Sequence, residues 1–478
     1  MIKIGNYELN RKRIGIIFTI AIFVFMASLD NAVLGIFPPL NMAIAKEFGI
    51  SATTISFITS GLNMFIIAVS SIFWGYLADK GKQRRNLMII GTVIWSIGVF
   101  IIAFSSNSFM FIISQIITGL GLGCIATIGF SILTDFIPKN WRGMVMSLWG
   151  LSQGLGGIAG SVIASVATYK NNWRSPFEII AILGLVFVVL YFFIKEPQRG
   201  ATEPELKGIT ASGSNYEYKI EFNQIKELLS KPSNLWLILQ SFFMNIVTGA
   251  LVLLPMLYIA KLQAVGFDDE TAKTASGYLF ALLQFGGIAS VYFGYLGDQL
   301  KRKSYRWRAL MPAIALISAV PLYIAMFSMP FGSMKLPNSE SKVDIFMGVI
   351  NQIVTNPVIF AMFILAVFAT MAQSVNTPNW MALITDVNLP EHRSTIFGIA
   401  NLANGIARIL GSAIFSFALL PLWKEPYNYI YAFSIYQIFF ILAALCYIWQ
   451  ARSNGRDLRK VKSTLNRRAR ENAESNPN

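Results

Sequence analysis

Two charged residues stand inside long apolar runs, where charge is hard to accommodate. Asp30 interrupts the run that starts near Ile14, and Arg408 interrupts another near the far end of the chain. If those runs lie in lipid, a charge at mid-helix costs roughly 2.5–3.5 kcal/mol on insertion scales, so an ionisable group there is a functional hypothesis by default. Asp30 can bind a cationic group, take up a proton, or pair with a basic residue. Arg408 stays charged and presents a planar fork matched to phosphate or carboxylate; its candidate partners are an anionic headgroup or Asp30 itself. Polar amides share these runs: Asn31 beside Asp30, Gln115, and Asn376-Thr377-Pro378-Asn379, a proline-interrupted polar patch. Interrupted helices mark binding sites in membrane bundles. Asn31, Gln115, Asn376 and Asn379 therefore join Asp30 and Arg408 as candidate contacts for a solute or a coupled proton or other ion.

The chemistry of an enzyme is missing. There is one histidine, His392, and two cysteines, Cys124 and Cys446, fall in different apolar runs. No cluster has metal-ligand spacing and no glycine-rich phosphate loop occurs, so neither metal nor cofactor is expected, and no catalytic residue.

The elements that must position these residues are legible in composition. Of 478 residues 55% are hydrophobic and 13% charged, against roughly 25% charged in soluble domains. The apolar residues come in blocks of about 20 or more, long enough at ~1.5 Å per residue to cross a ~30 Å hydrocarbon core. In lipid the backbone must satisfy its own hydrogen bonds, so the blocks are helices. Spans are expected near 14–37, 53–78, 86–105, 108–135, 143–167, 176–195, 234–259, 274–297, 309–329, 357–386, 394–420 and 427–450. The first follows Arg11-Lys12-Arg13, is longer than a cleavable signal's apolar region, and reads as retained. The fold class is an all-α integral membrane protein of twelve transmembrane helices. Most of the 39 Lys and Arg fall on one set of loops, which carries the whole +15 net charge. The positive-inside rule puts that side, with both termini, in the cytoplasm, and the basic pI then needs no nucleic acid. The tail from Arg452 to Arg470 reads as a solvated, lipid-facing end attracted to anionic headgroups.

A duplication organises the spans. Gly75-Tyr76-Leu77-Ala78-Asp79 leaves the second span and Gly294-Tyr295-Leu296-Gly297-Asp298 leaves the eighth, each followed by a basic cluster that includes Arg84 and Arg85 in the first copy. Asp135, Arg142 and Gly160-Ser161 recur with the same internal spacing as Asp386, Arg393 and Gly411-Ser412. A long external segment around 330–356 has no counterpart in the first half. Two pseudo-symmetric six-helix bundles are implied: 1–200 and 234–451, joined by a linker at 201–233 and followed by a basic tail at 452–478. Such a duplication is a transporter architecture.

The stretch Gly75-Tyr76-Leu77-Ala78-Asp79-Lys80 through Arg84-Arg85 resembles the signature loop of the major facilitator superfamily. Gly154-Leu155-Gly156-Gly157-Ile158-Ala159-Gly160-Ser161, Lys195-Glu196-Pro197-Gln198-Arg199-Gly200 and Thr248-Gly249-Ala250-Leu251 resemble segments of its Spinster-like branch, whose members move lysolipids and sphingolipid-derived amphiphiles. The resemblance implies alternating-access transport of an amphipathic or small organic solute, by a monomer in the cell membrane surrounded by membrane lipids. The chain departs from the family at Gln115, where an arginine is usual, at Leu122, where a glutamate is usual, and at Asn31, where a basic neighbour follows the acid. These departures imply weaker proton coupling. Two other readings stay open: a drug or metabolite facilitator of another branch, and a non-transporting membrane receptor or scaffold.

Asp79 and Asp298 have a role that elementary electrostatics supplies. A carboxylate at a helix N-terminus gains roughly 0.3–1 kcal/mol, up to ~2 when partly buried. The expected partners lie in the opposite half: the start of the eleventh span near Arg393 for Asp79, and of the fifth near Arg142 for Asp298. Asp79, Arg84, Arg85, Arg142, Asp298 and Arg393 are thus the expected gate. In the linker, Phe222, Ile225, Leu228 and Leu229 among charged residues suggest an amphipathic helix at the membrane surface, a strut between the halves.

Overall fold

The computed structural model describes residues 2–4, 7–9, 11–167, 172–194, 196–206, 216–337 and 341–475. Lys195, linker residues 207–215 and the last three residues of the tail lie outside them. Apart from a short hairpin pairing Ile2–Ile4 with Tyr7–Leu9, the described chain is helical. Eleven helices are long and apolar enough to cross a membrane, among them Ile17–Phe48, Thr54–Asp79, Pro357–Asp386 and Pro390–Leu422. Arg142–Ala167, a helix of 26 residues, takes the place of the fifth span. The twelve-helix expectation holds.

The chain divides into two compact units: Met1–Asn234 with Ile384–Leu402 and Arg456–Asn478, and Leu235–Leu383 with Ala403–Gly455. In the first unit the fifth span packs along the first. A Cβ on Gly156 or Gly160 would collide with the backbone of Ser28 or Ala32, and the Ser161 Oγ donates to the Gly35 carbonyl at 2.9 Å. In the second unit the eleventh span packs along the seventh, with Gly411 against the Ile246 backbone. The repeated Gly-Ser pair thus brings each helix to backbone contact with its neighbour, where dispersion and polar bonds replace the hydrophobic drive that lipid removes.

The segment after the ninth span, long and without a counterpart in the first half, holds a helix, Lys342–Thr355, capped by Ser341 and burying Ile345, Val349 and Ile353 at four-residue spacing. Three expectations are corrected. Asp298 is not at a helix end, because its helix, Ser290–Lys303, runs on past it. The linker helix is only Gln224–Ser230, with Leu228 buried and Phe222 and Leu229 exposed. The tail is not simply solvated. Ile438–Ser475 is one helix of 38 residues; Val461 and Leu465 pack with Leu206 and Tyr216 of the linker, and Leu458 is buried as well. Those three apolar positions recur at helical spacing between the charges, which gives the tail one face that water would otherwise wet.

Candidate functional site

The repeated Asp–Arg pairs meet crosswise. Asp135 ends the fourth span region and Arg142 opens the fifth helix; Asp386 ends the helix Asn376–Asp386 and Arg393 opens Arg393–Ala413. Arg142 Nη1 donates to Asp386 Oδ1 at 3.0 Å, and Arg393 Nη1 to Asp135 Oδ1 at 3.4 Å. All four side chains are buried. Between the two guanidinium groups sits a linker carboxylate: Glu203 Oε1 accepts from Arg142 Nη2 at 3.1 Å and from Arg393. Lys139 pairs with the same carboxylate. Burial by itself raises the Glu203 pKa, but Arg393, Arg142 and Lys139 outweigh it and hold the group well below the usual carboxylate range. A charge-assisted cluster of this kind is stable only while every member is present, since an unpartnered buried ion costs about 3–5 kcal/mol.

Arg84 extends the cluster. It pairs with Asp135 at 2.5 Å and with Glu196 at 3.0 Å, and donates to the Pro197 carbonyl at 3.0 Å. The Arg85 backbone N–H donates to the other Glu196 oxygen at 3.2 Å. Asp79, the last residue of the helix Asn63–Asp79, accepts from the Thr395 backbone N–H at 2.6 Å, within the first turn of Arg393–Ala413. That is the helix start expected for it. Arg199 lies 3.5 Å from its other oxygen. The contact needs backbones to touch: a Cβ on Gly75 would overlap the Ser394 carbonyl, and one on Gly398 the backbone at Ser71 and Ile72. Nearby, the Phe130 and Phe397 rings stack with centroids 4.2 Å apart.

The linker and tail hold the same corner. Tyr216 donates to Glu391 at 2.8 Å, and Arg468 of the tail reaches both. Burial first, and Glu391 second, push the Tyr216 hydroxyl upward, so it stays a donor. Asn234 and Asn388 exchange amide bonds of 2.9 and 2.7 Å. Lys231 donates to the Val387 carbonyl. In the second unit Asp298 pairs with Arg308, both buried.

The mid-span candidates separate into occupied and unoccupied groups. Gln115 is fully buried and accepts from Asn63. Asn376 follows a break in the tenth span at Val375 and accepts from Gln240 and Tyr447, each at 2.8 Å. Asn379 is buried beside Gly297 and donates to the Val375 carbonyl at 2.9 Å. Asn31 donates to the Ala27 carbonyl of its own helix at 2.8 Å. Each of these amides is engaged in holding a helix or a helix pair. Asp30 differs, since its Oδ1 is buried with no hydrogen-bond partner among the described residues. Arg408 also differs. It is an exposed side chain whose Nε donates to Asn245 at 2.8 Å, and whose two Nη groups have no protein acceptor among the described residues.

Sequence reasoning missed Glu203, Tyr216, Glu391 and Arg468 as members of the corner. Glu196 and Arg199 lie in the string that resembles the Spinster-like branch, and that resemblance does not name their partners. Glu203 carried no signal, because a lone acid in a polar linker looks like any other.

Residues 20–338 and 344–473 match the Major Facilitator Superfamily. The chain is similar to protein spinster homolog 1 of Xenopus tropicalis, 30% identical over 290 residues, 56% of this chain and 52% of that protein. It is also similar to the riboflavin transporter RibZ of Clostridioides difficile (strain 630), 30% identical over 175 residues, 37% of each chain. These matches span about half the spinster relative's length and less of the other. Among solved structures, the human organic anion transporter MFSD10 (TETRAN) aligns over 93% of this chain and 100% of its own, with a TM-score of 0.59 at 13% identity. The proton:xylose symporter XylE aligns over 90% and 94%, with a TM-score of 0.57 at 16% identity. These two likenesses speak to the fold. The expected resemblance to the Spinster branch is borne out by further spinster proteins of zebrafish and fruit fly. The chain belongs to the Major Facilitator Superfamily.

Proposed function

We propose that this chain is a multi-pass membrane transporter, not an enzyme, which works by alternating access and carries an amphipathic organic solute with an acidic group. The observation that carries the alternating-access part is the Glu203 cluster. It joins the starts of the fifth and eleventh helices, one from each sequence repeat, through charges that are stable only when all are present. Asp79 on the Thr395 N–H adds a second contact of the same kind. The positive-inside rule puts this corner in the cytoplasm with both termini, so the cluster is the cytoplasmic gate: Asp79, Arg84, Arg142 and Arg393 are its working residues, with Arg85 at its edge. Asp298, the duplicate of Asp79, remains a candidate member of the gate, with Arg308 as an ion-pair partner.

Arg408 supports the acidic-solute part. A guanidinium with two unoccupied nitrogens along a membrane-spanning helix suits a phosphate or carboxylate. A lysolipid-like solute fits that chemistry and the Spinster resemblance. The RibZ similarity favours a second reading, a polar metabolite of comparable size. Asp30 is the residue that would take a proton or pair with Arg408. Solute flux into proteoliposomes tests transport, and Arg408→Ala tests the site. We expect Arg408→Ala to weaken binding of an anionic lysolipid while the melting temperature is unchanged, with Arg408→Lys rescuing partly. If Arg408 instead pairs with Asp30, Arg408→Ala lowers the melting temperature and the Asp30→Ala/Arg408→Ala double variant recovers it. Lysolipid affinity untouched by Arg408→Ala ends the acidic-solute reading.

A further inference from the structure

The second unit carries a groove that neither the gate nor Arg408 uses. It lies along the eighth, ninth and tenth spans and encloses about 650 Å³, a volume typical of small-molecule sites at roughly 300–1,000 Å³. The eighth span supplies Phe293, Leu296 and Leu300, and the ninth Met311, Ile314 and Leu322. Each set recurs at helical spacing, so each forms one stripe along its helix. From Trp307 to Leu322 the ninth helix rises ~22 Å. One leaflet of a ~30 Å hydrocarbon core is about 15 Å deep, so the trough is as long as a leaflet and somewhat more. Its walls are open to the surroundings, with Ile314 60% and Phe368 49% exposed.

One end of the trough is chemically different. Lys303 closes the helix Ser290–Lys303 and Trp307 opens the helix Trp307–Ser328. Both line the groove and both are exposed. The Lys303 ammonium has no acceptor among the described residues, and Arg302 and Arg306 beside it are exposed as well. Tryptophan at such a position sits at headgroup level, and each cation near an anionic surface contributes about 1 kcal/mol of attraction. An apolar trough of leaflet length, ending in an unpaired cation and an interfacial tryptophan, is complementary to one acyl chain with an anionic headgroup above it. A second copy of this chain is a poorer occupant, because a two-fold contact through this face presses the same cationic rim against itself.

We propose that this groove is a binding site for an anionic phospholipid of the leaflet at the Lys303 end, with its phosphate on Lys303 and one acyl chain along the ninth span. The proposal is independent of the transported solute. Its test is native mass spectrometry of the full-length protein in detergent, titrated with phosphatidylglycerol or with phosphatidylcholine of the same chains. Wild type should retain phosphatidylglycerol about five-fold more strongly, the ratio that corresponds to one ~1 kcal/mol cation. Lys303→Gln should bring the ratio close to one. Ala315→Phe, or Ser318→Phe if the first folds poorly, should fill the trough and reduce retention of both lipids. Equal retention of the two lipids by wild type overturns the proposal, as does an unchanged ratio in Lys303→Gln. A dimer that dissociates in the trough-filling variant assigns the groove to a second copy and overturns it too.

Discussion

Asp79 ends its helix and hands a carboxylate oxygen to the Thr395 N–H, while Asp298, its duplicate, lies short of the end of its helix and pairs with Arg308. The strings around them are nearly the same, and of these contacts the Asp79 one is to a residue of the other sequence repeat and the Arg308 one is to a residue of the same repeat. The linker has no duplicate: it follows the first repeat, just after Arg199 reaches Asp79, and brings Glu203 to the Arg142–Arg393 pair. The second repeat ends instead in a continuous helix that carries Arg468 to Glu391, back into the first unit. Duplicated sequence therefore lays down two similar frames, and unduplicated sequence adds further charges to the first of them.

The largest test of that comparison is Glu203→Gln. It leaves Arg142 and Arg393 buried without their shared anion, a loss of about 3–5 kcal/mol to the closed corner. Double electron–electron resonance between labelled ends of the second and eleventh helices should show the closed distance depopulated. The sign of the pH dependence follows from the carboxyl's lowered pKa. Its contribution is present above the unfolded value of about 4.3 and is lost only as pH falls through the lower folded value. In an Asp79→Asn background, where that second gate carboxylate cannot titrate, the distances should therefore be unchanged from pH 8 down to 5. Opening within that window would remove Glu203 from the centre of the lock.

The paired carboxylates come next. Asp298→Asn strips charge from a buried partner of Arg308 and should lower the melting temperature, a loss of about 3 kcal/mol. Asp79→Asn should leave the melting temperature alone and shift the open–closed balance by about 1–2 kcal/mol, a factor of 5–30. Thermal melts and resonance distances on the two variants separate the roles. Equal melts and equal distances would mean the duplicates act alike.

Much of this was legible in the sequence. Long apolar blocks can only be helices in lipid, so the spans followed from length and composition. The repeat matched Asp79 with Asp298, and Asp135 and Arg142 with Asp386 and Arg393, and helix electrostatics named the start of the eleventh span as the Asp79 partner. What stayed hidden came from packing at long sequence separation. Glu203 is 190 residues from Arg393, and no local pattern marks a linker acid that will be buried among cations. The tail misled because its charges are frequent and its apolar stripe short. The amides Gln115, Asn376 and Asn379 look alike in sequence whether they hold a helix or wait for a solute, and only their partners distinguish them.

The two ends of the linker supply the smallest test. At Glu203 three cations surround one buried carboxylate. At Lys231, just before the seventh span, the ammonium donates to the Val387 carbonyl, and no carboxylate lies within ion-pair distance among the described residues. Burial draws its pKa down to about 8, only partly opposed by Asp457. The unfolded chain keeps this proton to about 10.4, so between pH 8 and about 10.4 the unfolded state binds more protons and stability rises with pH. Below pH 8 both states are protonated, and the full cost of the buried ammonium is present. Lys231→Met removes the titration. Whatever the offset between the two proteins at pH 7, wild type should gain on the variant by on the order of 1 kcal/mol as pH goes from 8 to 10. Melting temperatures of both proteins across that range read the gain directly. A gap that stays flat, or that widens against wild type, would mean that Lys231 is held by an anion as Glu203 is held by its cations, and the two ends of the linker would then be anchored by the same kind of contact.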